Sequence, residues 1–255
     1  IRGWNSAGWM AQPRLLGDRI GRLIGAEPGT VVLGDTLSIK VYQALASALE
    51  LNPGRRVILS DTGNFPSDLY MADGLVRTLG QGYELRTVAP EDVEAAIGPE
   101  TAVLMLTEVD YRTGRRHDMR QLTEKAHAAG ALPVDLAGCG ADFAVGCTYK
   151  YLNSGPGGPA FIYVAPKWAD RARPALSGWL GHESPFAFDL GYRPGKGIER
   201  MRVGTPPILQ LAALEASLDI WDEVSMAAVR ERSIALCDAF IAGVEAACPS
   251  LALAS

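Results

Sequence analysis

Apolar positions along this chain keep two rhythms that alternate. Leu15, Leu16, Ile20, Leu23 and Ile24 fall at helical spacing, and Gly25 ends the run. Val31-Val32-Leu33 is a short continuous apolar run that predicts a buried strand. The chain then breaks at Gly34-Asp35-Thr36-Leu37-Ser38, and Val41, Leu45, Ala48 and Leu49 place a helix behind the break. After the turn Asn52-Pro53-Gly54 the cycle repeats: strand Val57-Ile58-Leu59, polar loop 61–68, helix to Leu79, strand Tyr83 to Val88, and a short helix from Pro90 to about Gly98. Ala102 to Leu106 predicts a buried parallel strand, and Met119 to Ala129 a helix. Ala141 to Val145 and Pro159 to Val164 predict two further strands. Helices are expected over Ile208 to Ile220, with Leu211, Leu214 and Leu218 inward, and over Ser225 to Ala247. Strands alternating with helices imply an α/β fold with a mainly parallel sheet covered on both faces.

Three stretches of this pattern carry candidate chemistry. A strand that turns through glycine and hydroxyl residues into a helix, as at Gly34 to Ser38, offers free N–H groups and a positive dipole end to an anion. Ordinary capping by Thr36 or Ser38 explains the same residues. The parallel strand ending at Leu106 delivers Thr107 to Gly114 to the sheet edge where open α/β sheets bind ligands. There Arg112 reads either as a ligand contact or as an ion-pair partner. The third stretch is Gly146 to Gly158, where Lys150 stands between Tyr149 and Tyr151 ahead of a glycine-rich loop and a strand. A lysine held in that setting can bind a carbonyl cofactor covalently; a surface lysine in a loop is the competing reading.

Composition narrows the function classes. The 255 residues, 48% apolar, suffice for one large domain or two smaller ones. A net charge of −5 argues against a nucleic-acid surface. No apolar run reaches membrane-spanning length, and no secretory signal opens the chain. Cys139, Cys147, Cys237 and Cys248 lack metal-ligand spacing and read as reduced thiols of a cytoplasmic protein, and His117, His127 and His182 stand far apart, so no metal is expected.

Six stretches in order resemble the kynureninases, a family of fold-type-I pyridoxal-phosphate enzymes. They are Trp4-Asn5-Ser6-Ala7-Gly8-Trp9, Asn64-Phe65-Pro66-Ser67-Asp68, Tyr111-Arg112-Thr113-Gly114, Tyr149-Lys150-Tyr151-Leu152-Asn153 with Gly155-Pro156-Gly157, Gly178-Trp179-Leu180-Gly181-His182, and Gly204-Thr205-Pro206-Pro207-Ile208. The resemblance implies a three-layer α/β fold and pyridoxal 5'-phosphate as cofactor. It implies Lys150 as the cofactor-bearing residue and the base at the substrate Cα, with Tyr149 in phosphate contact and proton transfer. Leu37 and Ser38 would meet the phosphate. Phe65 would lie against the pyridine ring, with Pro66, Ser67, Asp68 and Thr107 also around the cofactor. Trp179 and Thr205 would reach the pocket of a partner subunit, which implies a homodimer. The implied reaction is hydrolysis of L-kynurenine, or its 3-hydroxy form, to an anthranilate and L-alanine in tryptophan catabolism. Another fold-type-I enzyme, such as a cysteine desulfurase, or a non-catalytic protein on this scaffold are the alternatives.

The resemblance also sets expectations about extent. Residues 1–212 would form the large cofactor-binding domain, and 213–255 the interdomain helices and the start of a small C-terminal domain. Both ends are expected to be cut from a longer chain, and the arginine that holds the substrate carboxylate is expected beyond Ser255. In kynureninases a strand and a loop, carrying the aspartate that pairs with the pyridine nitrogen, stand between the counterparts of Leu132 and Pro133. Here these residues adjoin, and Asp135 matches a later aspartate. A missing active-site segment is expected at this junction; a genuine deletion there would give an inactive protein.

Overall fold

The computed structural model describes residues 2–125 and 135–253. The junction of Leu132 with Pro133, the end of the helix expected to reach Ala129, and His127 lie outside the described residues. In chain order the elements are α1 (Arg2–Asn5), α2 (Gln12–Leu23), β1 (Val31–Leu33), α3 (Leu37–Leu51), β2 (Val57–Asp61), α4 (Pro66–Leu79), β3 (Glu84–Val88), α5 (Val93–Ala96), β4 (Thr101–Leu104) and α6 (Met119–Lys125). There follow β5 (Phe143–Cys147), β6 (Ala160–Val164), α7 (Pro166–Ala169), α8 (Ile208–Asp222) and α9 (Met226–Ala247). The predicted helices and strands are all present among the described residues, with ends displaced by a few residues. Leu15, counted on the apolar face of α2, stands on its outside at 52% exposure.

The strands form two three-stranded sheets. In one, β2 lies between β3 and β4 and runs parallel to both. In the other, β6 lies between β1 and β5 and runs against both, so β1 and β5 share a direction. The parallel expectation holds for β2, β3 and β4. The reversal of β6 follows from its connection: the chain returns from β5 through a loop without a crossover helix, which a parallel pairing would need.

Every residue of β2 and of β6 is buried, which is why each reads as an unbroken apolar run. Their side chains still alternate between faces. Ile58 packs with Val41, Leu45 and Leu49 of α3 and Ala72 and Leu75 of α4, while Val57 and Leu59 pack with Val93, Leu104 and Leu122 on the opposite face. Phe161 and Tyr163 of β6 meet Leu16 and Ile20 of α2 and Leu211, Leu214 and Leu218 of α8, while Ile162 and Val164 meet Ile198 and Met201. Both sheets are thus covered on both sides, the layering that α/β chains need to bury two apolar faces. Arg19 clamps α2 to α8 through Asp219 at 2.8 Å and Asp222 at 2.7 Å. No residue of α9 is buried.

Candidate functional site

A cavity of about 1180 Å³ runs between the two sheets, from the start of α3 to α9. Its walls are Val103 to Leu106 at the β4 edge and Phe143 to Cys147 along β5, with Ala44, Leu45 and Ala48 of α3 alongside. One end of this apolar slot is polar and aromatic, and eight of the eleven expected site residues line the cavity: Leu37, Ser38, Phe65, Ser67, Asp68, Thr107, Tyr149 and Lys150.

Lys150 follows β5 in a loop whose backbone is fixed by a buried clasp. The Thr148 hydroxyl donates to the Pro159 carbonyl at 2.6 Å and shares a hydrogen with the Ser154 hydroxyl at 2.7 Å. Asn153 at φ 57°, Gly155 at 76° and Gly157 at 81° take left-handed conformations that close the loop. The Lys150 ammonium lies 5.4 Å from the centre of the Phe65 ring, whose edge meets Tyr111 at 5.2 Å. Such a cation over an aromatic face is attracted by the ring quadrupole. Burial pushes the Asp68 carboxyl above its ordinary range, against the pull of the Ser67 hydroxyl and the Lys150 charge. The Tyr149 phenol is pushed up by burial first, then by Cys147 and Asp68.

Phe65 and Thr107 are held by a residue to which sequence reasoning assigned no role. The Oδ1 of Asn64, a buried side chain, accepts the Thr107 hydroxyl at 2.6 Å and the Phe65 N–H at 2.7 Å. Its Nδ2 donates to the Ser60 hydroxyl at 3.0 Å. A part-buried pair, His117 and the buried Asp61 at 2.7 Å, backs this loop, and Asp61 also accepts the Gly63 N–H at 2.6 Å. Asn64 stood within a recognisable motif, so a signal existed; His117 lies 56 residues from Asp61 and had none.

Ser38 is the second residue of α3, and the residue before the helix, Thr36, makes no side-chain cap to it. The capping reading therefore fails for Thr36, and the helix start opens on the cavity through Thr36, Leu37 and Ser38. Arg112 settles as a structural partner: it donates to the Thr62 carbonyl at 2.7 Å and faces Asp110 at 3.6 Å. Asp135 accepts the Gly138 N–H at 2.8 Å in a turn.

Three expected site residues stand apart from the cavity lining. Pro66 opens α4. Trp179 lies in a short 3-10 turn, edge-on to Trp4 and Phe186, each at 5.7 Å. Thr205 is exposed, and Pro207 rather than Thr205 precedes the first turn of α8, so Thr205 does not cap that helix.

The family model described as aminotransferase class-V matches residues 20–251. The kynureninases of Pseudomonas fluorescens and of Burkholderia pseudomallei (strain 1106a) are each 49% identical to this chain, over 97% of it and 64% of their own length. The chain thus spans just under two thirds of the curated relatives it matches. The first alignment is 265 positions long, yet 97% of this chain is about 247 residues, so that relative carries about 18 more positions than its counterpart here. Among solved structures, an apo cysteine desulfurase from Thermococcus onnurineus NA1 superposes with a TM-score of 0.74 at 19% identity, covering 92% of this chain and 62% of that one. The cysteine desulfurase CsdA from Escherichia coli gives 0.71 at 16%, covering 87% and 59%. At such identities the likeness concerns the fold. The match over residues 20–251, the α/β architecture and the relatives at 49% identity agree, and the chain belongs to the aminotransferase class-V family.

Proposed function

We propose that the protein containing this chain hydrolyses L-kynurenine, or 3-hydroxy-L-kynurenine, to anthranilate or 3-hydroxyanthranilate and L-alanine, with pyridoxal 5'-phosphate as cofactor. The observation that carries the reading is the convergence on one cavity of Lys150, Tyr149, Phe65, Asp68 and the uncapped start of α3. These residues fit the cofactor's chemistry: an amine for its carbonyl, a flat ring beside that amine, and free helix-start N–H groups for its phosphate. The 49% identity to kynureninases supports the choice of substrate.

In this reading the cofactor supplies an electron sink for the substrate carbon bonded to the amino group. Leu37 and Ser38 would hold the phosphate by backbone N–H groups and the hydroxyl. Phe65, its own backbone pinned by Asn64, would supply an aromatic surface for the ring. Lys150 would hold the cofactor through its amine, and that amine would then take the proton from the substrate Cα and later return it. Tyr149, a phenol protonated at neutral pH, would donate to the phosphate and relay a proton near the departing group. Water adds its hydroxyl to the γ-carbonyl carbon. The Cβ–Cγ bond breaks, the aromatic half leaves as a carboxylic acid, and a proton added to Cβ together with the one Lys150 returns to Cα completes alanine.

The reading extends to a cytoplasmic homodimer of the tryptophan-degradation route, in which Trp179 and Thr205 complete the partner's cavity. That both stand outside the cavity of their own chain supports this assignment. Residues 1–212 form the large domain and 213–255 the connection to a small one, with α8 crossing that limit. Among the described residues, no helix is long and apolar enough to cross a membrane. A desulfurase would need a nucleophilic cysteine at the cavity. Cys147, the one cysteine that lines the cavity, is fixed at the end of strand β5 rather than on a flexible loop, and Cys139, Cys237 and Cys248 do not line it.

The test is borohydride reduction of the intact protein with pyridoxal 5'-phosphate, followed by peptide mapping. The label is expected on Lys150. A label on Lys40, Lys125, Lys167 or Lys196 with Lys150 unmodified would refute the assignment. Lys150→Arg, whose guanidinium is never neutral, should lose about three or more orders of magnitude in kynurenine cleavage. Wild-type protein that binds no cofactor would favour the non-catalytic alternative.

A further inference from the structure

Lys40 is the largest fully buried side chain of the molecule's described part, with 0% exposure, and no step above uses it. Its nitrogen has three acceptors: Gln43 Oε1 at 2.9 Å, the Met201 carbonyl at 2.8 Å and Asp35 Oδ2 at 3.1 Å. A neutral amine has two N–H groups and a lone pair, so one acceptor would face that lone pair. Three acceptors demand the ammonium form. Burial pulls the lysine below its ordinary range; the Asp35 carboxylate works against that pull, and the charge of Arg202 adds a smaller one downward, so the charged form depends on these acceptors.

Asp35 lines the cavity at the α3 start, next to Thr36, Leu37 and Ser38. It is held at φ 58°, its carbonyl accepts the Ala160 N–H at 3.0 Å, and Gly34 returns a bond to the Ala160 carbonyl at 3.0 Å. The loop is therefore pinned to β6 with a carboxylate beside a site proposed to take a phosphate. Like charges that close repel, and burial of the surroundings weakens screening. We propose that Lys40 is a positioning residue that cancels the Asp35 carboxylate at the α3 anion site, so that the phosphate meets a neutral loop. This inference rests on the cofactor reading above.

The experiment measures dissociation constants of pyridoxal 5'-phosphate and of phosphate-free pyridoxal, by absorbance titration of the intact protein. Lys40→Met, Asp35→Asn and the double variant are compared with wild type, each with its melting temperature. In Lys40→Met, pyridoxal 5'-phosphate should bind about 10- to 100-fold more weakly while pyridoxal changes less than about threefold, as expected for one uncompensated charge near an anion. The double variant should recover phosphate-ester affinity to within about threefold of wild type. Asp35→Asn alone removes the carboxylate, so the loop holds no uncompensated negative charge whichever form Lys40 takes, and the phosphate ester should bind at least as tightly as in wild type with pyridoxal unchanged; this arm holds even if Lys40→Met does not fold. Equal loss for both ligands in Lys40→Met, no recovery in the double variant, or weaker phosphate-ester binding in Asp35→Asn would overturn the inference while leaving the cofactor reading intact. Wild-type protein that binds neither ligand would overturn both.

Discussion

Two glycine-to-alanine substitutions, both inside helices, should shift stability in opposite directions. Gly17 lies on the face of α2 that packs on β1. A Cβ there would stand 2.3 Å from the Val31 carbonyl oxygen and 2.8 Å from its carbon. Both are backbone atoms of a strand paired to β6, so neither can turn aside. Alanine gains about 0.5–1 kcal/mol in a helix interior. Against this, the helix must retreat by about 1 Å to reach ordinary contact, and overpacking of this kind costs about 1–3 kcal/mol. The net expectation for Gly17→Ala is a loss of about 1–2 kcal/mol, a fall in Tm of about 2–8 °C for a domain of this size.

Gly74, in the middle of α4, has nothing within 4 Å of its added Cβ. Gly74→Ala keeps the helix gain without the clash and should raise Tm by about 1–4 °C. The strain in Gly17→Ala has a functional consequence. Two residues after β1 the chain reaches Asp35 and the α3 start, so a displaced strand should also weaken pyridoxal 5'-phosphate binding; Gly74→Ala should not. Calorimetry and cofactor titration of the intact variants check both. Gly17→Ala melting at or above wild type, or the two variants shifting together, would refute the reasoning.

Two more outcomes follow from particular side chains. The Asp68 carboxyl titrates higher in the folded state than in the unfolded one, so its favourable share is present at low pH and is lost as pH rises through the folded value. Asp68→Asn should therefore gain on wild type in Tm from pH 3 to pH 7, and a constant difference across that range would count against the burial of this group. Leu214, at 0% exposure in the cluster that joins α8 to α2 and the sheet, should cost about 2–5 kcal/mol on change to alanine, measured by denaturant unfolding. A cost under about 1 kcal/mol would mean that α8 is not part of the large domain's core.

The sequence made some of this legible for identifiable reasons. Val57-Ile58-Leu59 and Phe161-Ile162-Tyr163 read as buried strands because both of their faces are covered, which leaves no polar alternation. The direction of β6 was not legible from its apolar run, which reads alike either way. The clue lay in the helix-free connection from β5, whose clasp holds Lys150. The lysine itself was legible as a candidate because a strand precedes it and glycines follow. Lys40 was not, since a lysine within a helical pattern reads as solvent-facing. Gln43, one helical turn on, and Asp35, just before the helix, are local, but the Met201 carbonyl that completes the set is 161 residues away and reaches it only in the tertiary fold. Leu15 shows the converse: helical spacing counted it inward, but it falls at the edge of the stripe that meets β1.

Helix α3 accounts for how two separate sheets can share one site. Thr107 reaches the cavity from beyond β4, and Tyr149 and Lys150 from beyond β5, yet β4 and β5 are not paired with each other. Their relative placement must then come from an element that packs on both. Val41, Leu45 and Leu49 of α3 pack with Ile58 and Ala102 of the parallel sheet, and Ala44 packs with the cluster holding Ile162 and Val164 of the other. The start of the same helix, without a side-chain cap from Thr36, is the proposed anion site, and Lys40 ties the helix to Met201 at the segment leading to Thr205. A helix fixed on both sheets and pinned at its first turn sets the distance between the proposed phosphate site and Lys150. Substitutions on the far side of α3 should therefore act on the site through position as well as through stability.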